Sequence, residues 1–301
     1  MKFLRTYSMV IKGAHETWTF GPPFTVRFTT TARGTPTTNT AHFFVYNLPE
    51  KVRNDILKDI YSNLDYYPMS FSAGYLYEPS TPPIFVGNVR WAYSYRQGPD
   101  WVTEFDCVDG GGAIEIANCE ESVVSGTSLG QIYRVLCQSI VGVERGVNGF
   151  FISKSFDSQR DTRGVVLSGN AWEELVRRII PANAQLFINK GKIYIILQNE
   201  YVSIPGGFST ISAETGLIGS PRRQEALTIA TMMFEPRLEI GQNVELVSAS
   251  PSSGEHKLLQ VTHQGTISEA VDSGDIVTVA TLFRPGPLGL AVDSAFAGVA
   301  A

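Results

Sequence analysis

Charge is scarce in this 301-residue sequence: Asp, Glu, Lys and Arg together make up 18%, against about 25% in a typical soluble domain. A chain of this length with so few charges has less surface to leave wet, which implies burial between subunits. A basic excess is also lacking. The 24 Lys and Arg stand against 29 Asp and Glu, for a net charge of −5, which excludes general nucleic-acid binding. No run reaches the ~18 consecutive apolar residues of a membrane helix, so no membrane insertion by this chain is expected. The opening Met1-Lys2-Phe3-Leu4-Arg5 is broken by charge before an apolar run forms, unlike a secretory signal. There are three cysteines, Cys107, Cys119 and Cys137, with no C-x-x-C spacing. That pattern is neither a disulfide framework nor a zinc site, and it fits a protein made in a reducing cytoplasm. The four histidines are scattered, none at metal-ligand spacing. No P-loop or dinucleotide fingerprint occurs. No cofactor and no metal are expected.

Apolar residues are plentiful at 43%, with 11% aromatic, enough for sizeable cores in about two domains. The composition is too apolar for a disordered chain. The N-terminal third reads as strands. Phe24–Thr31 and Ala41–Tyr46 are rich in β-branched and aromatic residues, and the Gly/Thr/Pro/Asn-rich segment Arg33–Asn39 between them reads as a loop. Leu48, Val52, Ile56 and Ile60, with Leu57 beside them, predict a helix with one apolar stripe. Asn47 is its expected N-cap, Glu50 completes a capping box, and Pro49 occupies the first turn. Strand period then returns. Met69, Phe71, Ala73 and Tyr75 alternate with small residues. Phe85, Val89, Trp91, Tyr93 and Tyr95 are expected on one face, followed by Trp101, Thr103, Phe105 and Cys107. This is a hairpin-rich, antiparallel pattern.

Asp109-Gly110-Gly111-Gly112 marks a boundary. Beyond it, Leu129, Ile132, Tyr133, Leu136, Cys137 and Ile140 predict one helix. Trp172, Leu175, Val176, Ile179 and Ile180 predict another, opened by Asn170 and stopped by Pro181. A hairpin follows, Gln185–Ile188 and Lys192–Leu197 around Asn189-Lys190-Gly191. From about Ile204 the chain is β again, with strands over Glu225–Phe234, Val244–Ser248, Lys257–Val261 and Ile276–Phe283. Turns are expected at Gly241, Pro251–Gly254 and Asp272–Asp275. The Ala/Gly-rich tail from Pro285 reads as an extension.

The two β sections echo each other. Laying Val89 on Val261 and Thr103 on Thr278 keeps the same order of strand, turn, strand, loop and Asp-x-Val-Thr strand. Phe71–Gly74 and Leu246–Ala249 likewise correspond. The expected fold is mainly β with an α+β insertion: two tube-like antiparallel β-barrel domains over 1–109 and 204–284, a small α+β domain over 110–203, and a C-terminal extension over 285–301.

Three further motifs stand out, each in order along the chain: Phe43–Arg53, Ser72-Ala73-Gly74-Tyr75 with Ile84–Val89, and Trp101–Gly110. Together they resemble the first domain of baseplate hub proteins of contractile-tailed bacteriophages. Gly216–Pro221, the strands around Pro236 and Gly241, and Val261–Gly265 resemble the second tube-like domain of that family. The resemblance runs over about residues 5 to 284. It implies a structural virion protein in which two tube-like barrels per chain let a homotrimer imitate a six-fold ring. It further implies partners: other copies of this chain, the tail tube protein, the central spike protein and the tape-measure protein. DNA passes through without specific binding, and the protein resides in the tail baseplate after assembly in the host cytoplasm. The C-terminal tail departs from the family pattern. Another tail ring, such as a tube initiator or distal tail ring, is the alternative.

The family brings no catalytic constellation, and the chemistry-bearing motifs have structural readings. Gly126-Thr127-Ser128-Leu129-Gly130 matches G-x-S-x-G, with His256 and His263 downstream. A nucleophile elbow needs a parallel strand before it, however, and Ser128 reads as a helix cap. Asp106, Asp109 and Glu115 lack EF-hand spacing. Glu104 and Asp106 share a strand face and could be drawn as a glycosidase pair, but read as an acidic row. Trp91, Tyr93, Tyr95 and Trp101 could bind a glycan; alternation on strands predicts that most are core. No catalytic, cofactor-binding or metal residue is assigned, and the chain is expected not to be an enzyme. The acidic balance predicts a channel wall that repels DNA phosphate.

Overall fold

Alternating apolar residues make strands in this chain because period two places them all on one face of a pleated backbone. A computed structural model describes residues 4–13, 16–57, 67–141, 147–207, 209–268 and 276–284. Its first β unit contains β1 (Arg5–Lys12), β2 (Thr17–Phe20), β3 (Val26–Arg33), β4 (Thr40–Tyr46), β5 (Tyr67–Tyr75), β6 (Pro83–Gln97) and β7 (Asp100–Val108), with α1 (Glu50–Asp55) after β4. The middle unit contains α2 (Gly111–Ile116), β8 (Asn118–Val123), α3 (Leu129–Val141), β9 (Gly149–Ile152), β10 (Val165–Asn170), α4 (Ala171–Ile179), β11 (Ala184–Asn189) and β12 (Lys192–Leu197). The second β unit contains β13 (Thr210–Ile211), β14 (Arg222–Gln224), β15 (Leu227–Met233), β16 (Asn243–Leu246), β17 (Gly254–Ile267) and β18 (Val277–Phe283).

Both β units belong to one 13-stranded sheet, ordered β14-β15-β18-β17-β3-β4-β7-β6-β5-β1-β2, with β16 and β13 branching from β17. The two units repeat one topology. The order β3-β4-β7-β6-β5 in the first matches β14-β15-β18-β17-β16 in the second, strand for strand along the chain. The two are joined edge to edge, because the later half of β17, Gln260–Ile267, pairs antiparallel with β3. The ladders close neither unit into a ring among the described residues; each is a curled part of a shared sheet.

A one-residue bulge recurs at the same place in each unit. The β6·β7 ladder skips Arg90, and the β17·β18 ladder skips Leu259. Matching the bulges lays Ala92 on Val261 and Asn88 on Lys257. The expected pairing of Val89 with Val261 is therefore off by three, while Thr103 with Thr278 and Phe71 with Leu246 agree with the ladders. The bulge also changes the phase of β6. Phe85 and Val89 face the core, but past Arg90 it is Ala92 that is buried, and Trp91, Tyr93 and Tyr95 turn outward. Strict alternation carried through the strand predicts the opposite, since a bulge adds one residue and flips every side chain after it.

Three large cores hold the molecule. The first lies inside the curl of the first unit, where Phe43 and Phe71 rings approach to 4.7 Å, and it also takes in Phe234, Ile267 and Ile276 of the second unit. The middle unit has its own core, built on Ile132, Leu136, Ile140, Trp172 and Leu175, as the helical stripes predict. The third core combines Met232, Leu246 and Val261 with Phe187 and Ile196 of the middle hairpin.

At α4, Asn170 Oδ1 accepts from the backbone N–H of Trp172 and Glu173 at 3.0 and 3.1 Å, the expected cap, although Ile180 is exposed rather than part of the stripe. At α1 the expectation fails. The helix is six residues long, Pro49 holds the cap position, and no side chain caps it. Asn47 instead takes a left-handed backbone. Its amide donates to Asp100 Oδ1 at 2.9 Å and accepts from the Trp101 N–H at 3.0 Å. Leu48 and Ile56 are buried and Leu57 is exposed; Ile60 lies outside the described residues, as do the turn at Asp272–Asp275 and the C-terminal extension. Among the described residues no helix is long and apolar enough to cross a membrane.

Candidate functional site

The inner face of the sheet is committed to the cores, so the surface available to a partner is its outer face and its unpaired edges. Ladder registers fix which side chains share that face. One row across the sheet carries Tyr93, Glu104, Phe44, Arg27 and Thr266. The next carries Trp91, Asp106, His42, Thr29 and Gln264. Trp91 and Tyr93 stack at 5.0 Å between ring centroids, and Tyr93 and Tyr95 at 5.5 Å. Tyr93 is 42% exposed, and its hydroxyl donates to Glu104 Oε2 at 2.9 Å, a bond that holds the phenol pKa above its ordinary value. The aromatic residues of β6 thus form an exposed ladder, not core. Trp101 is also exposed, on the opposite side of β7, with the Arg53 guanidinium 3.8 Å from its ring centre.

The carboxylates on this face are occupied. Asp106 is buried, takes a hydrogen bond from Arg90 Nε at 2.7 Å and lies 3.2 Å from His42 Nδ1. Glu104 is held by Tyr93. Neither presents a free acid or base poised over a cleft, as paired-carboxylate chemistry needs.

Ser128 stands at the start of α3, where its Oγ accepts from the Gln131 N–H at 3.2 Å, a capping contact. His256 and His263 lie in β17. His256 Nδ1 is 2.9 Å from Gly254 O, and His263 Nδ1 is 2.9 Å from Thr278 Oγ1. Burial pushes the His263 imidazole down to about 3, so it is neutral at ordinary pH. No described contact joins either histidine to Ser128, and no nucleophile–base pair forms.

Asp109 leaves the acidic face altogether. It is buried beneath the middle hairpin and accepts from the Gly191 N–H at 2.9 Å. Burial raises its carboxyl to about 7, against the opposing hydrogen bonds from Gly191, Lys190 and Asn39. Beside it, Lys190 Nζ is 2.8 Å from Glu239 Oε1 and Asn39 donates to Ile188 O at 2.6 Å. A cavity of about 20 Å³ here is lined by Thr30, Asn39, Asp109, Lys190, Glu239 and His263, room for about one water. This polar knot ties the three units together. Sequence reading missed it, because its members are up to 233 residues apart in the chain, from Thr30 to His263. Glu115 lies on α2, away from Asp106, and among the described residues no group of acidic, Cys or His side chains could hold a metal ion. The three cysteines are free and buried.

Among the described residues β2, at one end of the sheet, pairs only with β1, and two further edges have no neighbour. β14 pairs only with β15, leaving its other side open. β6 is paired with β5 only as far as Val89, so from Arg90 to Gln97 it has β7 on one side and nothing on the other among the described residues. The sequence does not signal either edge: β14 is three residues long, and the length of β6 beyond its neighbour depends on tertiary pairing.

The sequence matches no protein-family model and no curated protein. Its structure, however, is similar to solved structures over nearly its whole length. The 43 kDa tail protein of prophage MuSo2 from Shewanella oneidensis is 9% identical and superposes with a TM-score of 0.59, covering 92% of this chain and 98% of that one. A tail protein from Neisseria meningitidis MC58 is 8% identical, with a TM-score of 0.60 and coverage of 94% and 98%. The E. coli c3393 protein is described as a type VI secretion system component with structural similarity to the T4 bacteriophage tail proteins gp27 and gp5. It is 11% identical, with a TM-score of 0.59 and coverage of 93% and 77%. At these identities the likeness is one of fold: this chain, mainly β, has the fold of phage tail proteins.

Proposed function

We propose that this chain is a non-enzymatic structural component of a phage tail, the baseplate hub. Three copies assemble into a ring of six similar β units that joins the six-fold tail tube to the trimeric central spike. The observation that carries this reading is the repeated topology, two equivalent strand sets in one chain joined edge to edge through β17 and β3. Such a chain offers two nearly equivalent positions on a ring, which is what matching three-fold to six-fold symmetry requires. The units correspond to residues 1–109 and 204–284, with 110–203 as an inserted domain and 285–301 as an extension. The low charge fraction of 18% agrees with surface that becomes buried between copies.

In this reading the outer face of the sheet lines the channel, because the other face is filled by core. That wall does not carry the acidic surplus inferred from net charge. Arg27, Arg33 and Arg90 offset Glu104 and Asp106, and Thr29, Thr31, Thr262 and Gln264 fill the space between. Arg90 on that wall is tied to Asp106, and the hydroxyl and amide side chains between the charges offer DNA phosphate no fixed cation. The tail tube, the spike and the tape-measure protein are the proposed partners, in the virion baseplate after assembly in the host cytoplasm.

Native mass spectrometry and electron microscopy of the purified protein, alone and with its spike, test the proposal. Three-copy rings with six-fold pseudosymmetry are the expected result. A chain that stays monomeric alone and with the spike overturns it.

A further inference from the structure

The junction inside the chain shows how one β unit meets the next, and the internal repeat extends that junction to a second copy. In the chain, Thr262, His263 and Gln264 of β17 pair with Thr31, Thr30 and Thr29 of β3. The ladders identify the equivalents of all six residues. Ser94 faces Thr103 as His263 faces Thr278, so Tyr93, Ser94 and Tyr95 take the places of Thr262, His263 and Gln264. Thr30 faces Ala41, which faces Cys107; Arg223 faces Thr228, which faces Leu282. Gln224, Arg223 and Arg222 therefore take the places of Thr31, Thr30 and Thr29. In β17 these residues are covered by β3. Among the described residues the same stretch of β6 has an open edge, and β14, the equivalent of β3, has an open edge too. Each is the missing neighbour of the other, and among the described residues the two are not paired within the chain.

We propose that β6 of one copy pairs antiparallel with β14 of the next, in the register Tyr93 with Gln224, Ser94 with Arg223 and Tyr95 with Arg222. This rests on the ring proposed above and names its contact between copies. The chemistry suits the register. Arg222 and Gln224 fall on the outer face with the Trp91–Tyr93–Tyr95 ladder, since directly opposed residues share a face. Arg222 is exposed and has no ion-pair partner among the described residues. In this register its guanidinium lies beside the Tyr95 ring and one row from Glu104, a cation over an aromatic face next to an anion. Pro221, lacking an N–H, would face Arg96 and ends the ladder there. The contact covers two strand edges that would otherwise be templates for uncontrolled pairing.

Cysteine cross-linking in the full chain reads the register. Directly opposed residues have Cα atoms about 4.5–5.5 Å apart, within disulfide reach, whereas a two-residue slip puts them at about 7–8 Å. The native cysteines are buried and do not compete. On oxidation with copper–phenanthroline, the double variant Ser94→Cys/Arg223→Cys should give covalent dimers and trimers on a non-reducing gel and nothing larger. Each single variant should run as monomer while retaining the native mass of the assembly. Native trimers without cross-links, or stronger cross-linking in Ser94→Cys/Glu225→Cys, would falsify the register and leave the ring standing. A wild-type chain that stays monomeric alone and with the spike overturns both. Arg222→Glu should weaken assembly at least tenfold at low salt, and less at high salt; equal assembly at low salt counts against the contact.

Discussion

Asp109 and Lys257 show what burial does to a charge when the fold needs its hydrogen bonds. Asp109 is held near pKa 7, above the ordinary carboxylate value of 3.8. Between those values the folded chain keeps a proton that the unfolded chain has lost. Its contribution to stability is therefore full at acid pH and falls as pH rises toward 7. Lys257 is the mirror case. Burial lowers its amine from 10.5 to about 7, against the pull of Glu200, and Nζ donates to Gln198 O at 3.1 Å. From about 7 to 10.5 the unfolded chain holds the extra proton, so this residue's cost is relieved as pH rises. Urea unfolding of wild type and of Asp109→Asn across pH 4 to 8 should show the variant gaining on wild type as pH rises toward 7, because only wild type then bears the cost of a buried charge. The same comparison with Lys257→Met across pH 6 to 10 should show the variant's advantage fading with pH. A difference independent of pH in either case contradicts the assignment. The sequence marks Asp109 only as a domain boundary and a calcium-loop candidate, and Lys257 only as the start of a strand, because what sets both apart is the packing of distant segments around them.

Single elements were legible where one period runs unbroken. The stripe of α3 and the cap and stripe of α4 follow from spacing alone, because each helix packs one face on a local core. Asn170→Ala should cost about 1 kcal/mol in thermal or chemical denaturation, the usual worth of an N-cap. The hairpin of β11 and β12 was also legible, since Lys190-Gly191 supplies the two left-handed positions of its turn. β1 went unread although Tyr7, Met9 and Ile11 alternate and are all buried; that pattern could have found it. Beyond Arg90 the phase of β6 is not legible in the sequence, because a bulge is set by the partner strand and leaves no mark on composition. The helix after Pro49 is shorter than its stripe predicts, since Leu48, Val52 and Ile56 pack with only six helical residues between Glu50 and Asp55. β13 and β14, two and three residues long, exist only through their neighbours.

At the scale of the whole molecule, the repeat was visible as an echo and its register became fixed only by the two bulges. The β units also share interior. Phe234, in the second unit, packs against Phe28 and Tyr75 of the first, and Tyr75 Oη donates to Phe234 O at 2.7 Å. The two units should therefore melt together. Phe234→Ala should destabilise the chain by about 3–5 kcal/mol and lower one calorimetric transition common to both units; two separate transitions, with only one moved, would contradict a shared core. Gly265 guards the same seam, since a Cβ there would lie 2.7 Å from Ile276 Cα. Gly265→Val should cost at least about 2 kcal/mol by overpacking, measured by the same denaturation.

The seam between β17 and β3 has a mechanical consequence. Its eight opposed residue pairs are held by hydrogen bonds lying across the strand direction. A load applied along the strands meets all of them in parallel, as a shear, so they must yield together. A load pulling the strands apart sideways opens them one after another, like a zipper. The seam between the two β units therefore resists a load along its strands far better than one across them.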